Sequence, residues 1–190
     1  MNFSKNLMVA WLTPIRTGTR SCMRIMDYFN FDRREDHECF IEGNLNDYFF
    51  IVNTHNPYKR LFSIYNFDIT NSNTKLDFKT WSKKYISQIT HNNNPQQIII
   101  TEILKNLSKK PDYIVKVESL YDDLMNLDFI KNDKSDSLEE IFENYILTNR
   151  TFDPTLPFWK TEYDEKFADY VYENLKKDFD FFDYKKDSWK

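Results

Sequence analysis

Three short apolar runs constrain the fold most: residues 7–12 (LMVAWL), 47–54 (DYFFIVNT) and 112–117 (DYIVKV). Each is short and rich in aliphatic, β-branched or aromatic residues, the pattern of strands covered on both faces, although on pattern alone residues 7–12 fit a short helix as well. Thr13-Pro14 closes the first run, Asn56-Pro57 follows the second, and Pro111 precedes the third. The intervening segments change to helical spacing. Cys22, Met23, Ile25, Met26 and Phe29 share one face, as do Tyr58, Leu61, Phe62 and Tyr65. Residues 78–89, 96–107, 138–147 and 164–179 read as further helices, and Leu120, Leu124 and Leu127 continue the third strand as another. Residues 66–74 read as a polar loop. Strands alternating with helices predict an α/β fold with a central parallel sheet flanked by helices. With 190 residues and neither a linker nor a repeat, a single domain over residues 1–190 is expected.

Charge and cysteine usage narrow the class. A net charge of −4 gives no global basic field, so no nucleic-acid partner is expected and any anion site must be local. The two cysteines, Cys22 and Cys39, have no metal-ligand spacing, which fits a reducing compartment and no metal. Cys22 falls on the apolar side of its helix and reads as a buried residue. No apolar run reaches the roughly 18 residues of a membrane span. The first residues lack the features of a secretion signal, so the expectation is a soluble, cytoplasmic protein with no membrane partner.

Glycine is scarce, with only Gly18 and Gly43 in the chain. Gly18 falls in Thr13-Pro14-Ile15-Arg16-Thr17-Gly18-Thr19-Arg20-Ser21, between the first strand and its helix. Successive amides at a helix N-terminus bind anions, and glycine lets the backbone approach them closely. Thr17, Thr19 and Ser21 offer hydroxyls, while Arg16 offers a guanidinium group suited to phosphate oxygens. A plain strand-to-helix turn fits the same spacing. The segment lacks the first glycine and the lysine of a Walker A loop. That weakens the alternative of a small P-loop kinase.

The run P-I-R-T-G-T-R-S resembles the 5′-phosphosulfate loop of the sulfotransferases, which usually reads PKxGTTS or PRSGTT. It is most similar to Arg-containing versions such as those of the tyrosylprotein sulfotransferases. His55-Asn56-Pro57-Tyr58-Lys59-Arg60-Leu61-Phe62-Ser63-Ile64-Tyr65 resembles the family's R-N-P-[YF]-x-R-L-x-S-x-Y, with His55 in place of arginine. His91-Asn92-Asn93-Asn94-Pro95-Gln96 resembles H-x-x-P-Q with one residue inserted. Residues 112–124 resemble D-x-I-x-x-x-E-x-L-x-x-D-L, and residues 171–184 the family's closing V-x-x-x-Y-x-x-D-F-x-x-F-x-Y. These matches keep the family's order from residue 7 to residue 184.

The resemblance implies a three-layer domain like that of the P-loop NTPases. It implies transfer of a sulfuryl group from 3′-phosphoadenosine-5′-phosphosulfate (PAPS) to a hydroxyl or amine, leaving PAP and requiring no metal. Arg16 takes the place of the family's lysine, and residues Thr17, Gly18, Thr19, Arg20 and Ser21 hold the 5′-phosphate. His55 and Ser63 fall to the 3′-phosphate. Arg60 is either a phosphate ligand or half of a structural ion pair, and Arg150 is a second, late-loop candidate. The general base is expected between the two phosphate motifs. His37 is the first choice because its ordinary pKa suits neutral pH, with Glu38 and Glu42 in reserve, although DRREDHE also reads as a solvated charge cluster. The acceptor class implied is a carbohydrate or small hydroxylated molecule, or a peptide. The departures at Arg16 and His55 keep a further alternative open, a degenerate PAP-binding protein without catalysis. Trp11, Trp81 and Trp159 read as core or cleft aromatics, and Glu118 as a residue orienting loops.

Overall fold

In the computed structural model, residues 1–32, 44–71, 75–91, 99–147 and 159–190 are described. The fold is α/β. Its mixed sheet contains β1 (Asn2–Ser4), β2 (Val9–Leu12), β3 (Phe49–Thr54) and β4 (Tyr113–Lys116), in that spatial order. The strands β2, β3 and β4 are parallel, whereas β1 runs antiparallel to β2. Eight α-helices accompany them among the described residues: α1 (Thr19–Tyr28), α2 (Pro57–Asn71), α3 (Phe78–His91), α4 (Ile100–Lys105), α5 (Leu120–Met125), α6 (Asp128–Lys131), α7 (Asp136–Ile141) and α8 (Glu165–Phe181).

The chain forms two compact units. The first comprises Met1–Thr54 and Asn106–Thr151, the second His55–Lys105 and Phe152–Lys190. The sheet belongs to the first unit. On one face Val9, Trp11, Ile51 and Val115 alternate inward, as a two-residue period requires. Cys22, Ile25 and Met26 of α1 pack there with Leu124, Leu127, Ile130, Leu138 and Phe142. The expected helical face of α1 is therefore the buried one.

The second unit is helical and its core is largely aromatic. Tyr58 lies 4.8 Å from Phe179 and 5.0 Å from Tyr163, ring centroid to centroid. Phe78 meets Phe62, Tyr163 and Phe167 at 5.2–5.6 Å, all edge-on. Each such pair adds about 0.5–1.5 kcal/mol beyond its buried area. Thus part of the chain's 17 Phe and 12 Tyr builds a core that aliphatic residues would otherwise supply.

Several boundaries differ from the sequence pattern. The expected all-parallel sheet gains β1, which at three residues is too short to show alternation. The first parallel strand begins at Val9, because residues 5–8 form the turn out of β1, with Met8 at φ 53°. Residues 66–71 are helical rather than loop. Thr70 Oγ1 donates to the Asn66 carbonyl and Asn71 Nδ2 to that of Phe67, so polar side chains bond back onto α2. Asp68 accepts from Trp81 Nε1 at 2.7 Å, joining the end of α2 to α3. The helix expected over 138–147 divides into α7 and a π-helical turn, Phe142–Leu147. Little glycine is available for left-handed positions, and Arg16, Asn30 and Asp183 occupy them with Met8.

Candidate functional site

In the first unit, the loop after β2 closes on one carbonyl. The Pro14 oxygen accepts from the Thr17 amide at 3.3 Å, from Thr17 Oγ1 at 2.6 Å and from Thr19 Oγ1 at 3.1 Å. A hydroxyl has one proton to donate. The hydroxyls of Thr17 and Thr19, expected as anion donors, therefore shape the loop, and so does the Thr17 amide. Thr17 is fully buried.

Two left-handed residues bracket it, Arg16 at φ 60° and Gly18 at φ 74°. Gly18 is the N-cap of α1 and brings no side-chain cap. The first turn of α1 has no acidic residue, although acids favour that end of a helix dipole. It carries Arg20 instead. Arg16 is half-buried, and its pKa is lowered first by burial and then by the charge of Arg20. Cationic charge thus collects where the helix dipole is already positive, an arrangement an anion would relieve.

Asn53 ties this loop to the sheet. It is fully buried near the C-terminal end of β3. Its Oδ1 accepts from Trp11 Nε1 at 2.7 Å, and its Nδ2 donates to the Thr17 carbonyl at 2.8 Å and to Cys22 Sγ at 3.0 Å. The residue breaks an apolar strand at the end nearest the loop, a signal visible in FFIVNT. Burial pushes the Cys22 thiol up to about 12 despite the Asn53 bond, so Cys22 is a packing residue and not a nucleophile. Next to Asn53, Thr54 ends β3 at 1% exposure, and its hydroxyl finds no hydrogen-bond partner among the described residues. Buried orphans of this kind call for a ligand or water.

Asp123 organises the loop after β4. Its Oδ2 accepts from the Lys116 amide at 2.7 Å and from Ser119 Oγ at 2.8 Å. Glu118, expected to orient that loop, is exposed in the 3-10 turn Val117–Ser119.

The second unit opens with the H-N-P-Y element. Pro57 starts α2, where its missing amide proton costs nothing. Asn56 Oδ1 accepts from the amides of Tyr58 at 3.0 Å and Lys59 at 3.4 Å, so α2 is capped by its own chain. An anion at this element would have to be held by side chains. His55 and Ser63 are both half-buried. Ser63 shares its face of α2 with Lys59, four residues before it. Arg60 is 3% exposed, with its guanidinium 3.9 Å from Asp178. Burial lowers its pKa and Asp178 opposes that shift. Of its two expected roles, the geometry favours the structural ion pair. Asp178 also accepts from the amides of Ile100 and Thr101 and from Thr101 Oγ1, at 2.7–2.9 Å. The D-F pair of the closing motif thus anchors α4 and α2 to α8.

The base candidates His37, Glu38 and Glu42 lie outside the described residues, as do Arg150, Gln96 and Cys39. Trp11 and Trp81 are core residues, while Trp159 is half-buried between Lys59 and Lys160. Among the described residues no group of three or more His, Cys, Asp or Glu is placed to hold a metal, and no helix is long and apolar enough to cross a membrane. Compared with protein-family models, with curated proteins and with solved structures, the chain has no match.

Proposed function

We propose that the protein is a PAPS-dependent sulfotransferase, with the three-layer, P-loop NTPase-like topology the sequence resemblance implies. The observation that carries this reading is the α1 N-terminus. A left-handed Gly18 that brings no side-chain cap, an acid-free first turn and two arginines meet at the end of a parallel strand. The orphaned Thr54 hydroxyl at the end of the neighbouring strand adds support.

In this reading the amides of Gly18, Thr19, Arg20 and Ser21 bind the donor's 5′-phosphate. Arg16 neutralises charge developing on the bridging oxygen as the S–O bond breaks. An arginine side chain supplies charge and not a proton, so the leaving phosphate departs as an anion held in place. His37, or else Glu38, takes the proton of the acceptor hydroxyl. The motif assigns His55 and Ser63 to the 3′-phosphate. A dianionic phosphate beside His55 favours its imidazolium form, which donates two hydrogen bonds. The acceptor in this reading is a carbohydrate or small hydroxylated molecule.

Thermal unfolding with PAP or with ATP and Mg²⁺ tests the reading. PAP at a hundred times its Kd should stabilise the chain by about 2.7 kcal/mol. Transfer of labelled sulfate from PAPS to a panel of glycans, small alcohols and peptides tests catalysis, and Arg16→Ala should abolish it. No stabilisation by millimolar PAP, or stabilisation by ATP–Mg²⁺ alone, would overturn the proposal.

A further inference from the structure

Two polar residues interrupt one face of the sheet in the first unit. Trp11, Ile51 and Val115 face α1, so Asn53, two residues beyond Ile51, faces it too. Its bonds to the Thr17 carbonyl and to Cys22 agree. Leu12, Phe50, Val52 and Ile114 alternate to the opposite face, and so do Thr54 and Lys116. That face is apolar until its carboxyl end. There Thr54 and Lys116 are direct partners in the β3–β4 register, on strands lying about 5 Å apart.

Thr54 is 1% exposed, and its hydroxyl has no hydrogen-bond partner among the described residues. Such a group costs stability that valine, of similar volume, would not. Shielded from bulk water and unpaired, it calls for a bound group. Lys116 is half-buried, and its amide is fixed by Asp123 Oδ2 at 2.7 Å. Its ammonium brings positive charge and only donors. A hydroxyl and an ammonium projecting from one edge suit an oxyanion. Ligands of open α/β sheets bind outside the carboxyl ends of the strands, where this pair lies. Because α1 packs on the other face, the pair serves a second anionic group and not the one assigned to the α1 N-terminus.

We infer that Thr54 and Lys116 form a second oxyanion subsite, and that it receives a carboxylate of the sulfate acceptor. The subsite stands on the sheet register and the orphaned hydroxyl. The acceptor half rests on the sulfotransferase reading, in which both donor phosphates already have ligands, at α1 and at His55 and Ser63. The acceptor is then the source of the remaining anionic group, and its class narrows to hydroxylated acids.

The test compares the full chain with Thr54→Val and Lys116→Gln. Without ligand, Thr54→Val should melt about 2–4 °C above the wild type, because an unpaired buried hydroxyl is removed. A lower melting temperature would show that the fold satisfies this hydroxyl and would overturn the subsite. Inorganic phosphate is then titrated at constant ionic strength and followed by amide resonances. Those of Thr54 and Lys116 should move in the wild type, and each variant should weaken that response about tenfold while keeping the response at Gly18 and Thr19. Resonances that stay still, or equal affinities in all three chains, overturn the subsite and leave the hydroxyl to water. For the acceptor half, sulfate transfer from PAPS to gluconate is compared with transfer to sorbitol, its neutral counterpart. Lys116→Gln should raise KM for gluconate about tenfold relative to that for sorbitol. An unchanged ratio, a rise in KM for PAPS instead, or no transfer to gluconate by the wild type overturns the acceptor half alone. Failure of the wild type to bind PAP overturns the sulfotransferase reading with it, while the phosphate titration still decides the subsite.

Discussion

Replacing Asn53 by leucine isolates the bond network that holds the candidate anion loop. Leucine has nearly the same shape but neither donates nor accepts. Two buried groups lose their partner, the Trp11 indole N–H at 2.7 Å and the Thr17 carbonyl at 2.8 Å. Each unsatisfied group costs about 1–3 kcal/mol. The apolar side chain returns about 1–2 kcal/mol of burial, so the net loss should be about 2–4 kcal/mol. With a urea slope of about 1–3 kcal/mol/M, the unfolding midpoint should fall by about 1–2 M. Trp11→Phe removes the indole donor from the other side. In a double-mutant cycle the pair should couple by about 1–2 kcal/mol, because the second substitution finds part of the network already gone. Loop amides at Gly18 and Thr19 should also lose exchange protection relative to the rest of α1. A loss below about 1 kcal/mol in Asn53→Leu, or strict additivity with Trp11→Phe, would refute the argument that Asn53 anchors the loop.

At Gly18 an added Cβ would lie 3.5 Å from Val117 Cγ2 and 3.6 Å from Leu120 Cδ2, ordinary contacts. Gly18→Ala should therefore fold, losing about 1–2 kcal/mol through its left-handed backbone alone; a loss above about 4 kcal/mol in thermal unfolding would mean that space, not conformation, selects glycine. Arg16 is also left-handed, so Arg16→Gly should melt above Arg16→Ala, by about 1 kcal/mol in stability, while both variants fail in sulfate transfer. The reverse order of melting would remove strain from the account of this loop. Several exposed or half-buried carboxylates have depressed pKa values: Asp133 through the Ser135 amide, Asp164 through Lys79, Asp77 through the Thr80 amide and Glu102 through Lys105. Below its unfolded pKa the denatured chain binds the proton more readily than the folded one. Denaturation midpoints should hold from neutrality to about pH 5 and fall below about pH 4, less steeply in Asp164→Asn; a midpoint flat through acid would contradict these assignments.

What could be read in the chain followed from strong periodicity. β2, β3, β4 and the buried face of α1 come directly from runs such as FFIV and from Cys22, Ile25 and Met26. The failures have separate physical causes. The β1 strand is only three residues, so it carries no alternation and owes its existence to pairing with Val9–Leu12. The end of α2 looked polar because helix capping by side chains uses the same Thr and Asn residues as turns do. At the candidate site, Gly18 and Arg16 were legible as a loop, but the division of labour was not. Hydroxyls that look like ligand donors in sequence are spent on Pro14, a fact that only the loop's closure reveals. Asn53 and Asp178 are buried polar anchors; Asn53 shows in the sequence as a polar break in FFIVNT, whereas no local pattern distinguishes Asp178 from the exposed charges of α8. The partnership of Asn56 with Ser188 spans most of the chain and is invisible to any spacing argument.

Because the first unit is assembled from two separated stretches, its sheet has an order of synthesis as well as an order in space. β2 and β3 leave the ribosome early, but their neighbour β4 ends about sixty residues after β3. At about 5–20 residues per second that is a delay of about 3–12 s. Throughout it, β3 presents an open edge of Phe49, Phe50, Ile51 and Val52, the type of strand that recruits other chains. Recovery of the protein from a cell should therefore depend on how quickly translation passes β4, and on chaperones available in that interval, more than on the stability of the finished fold.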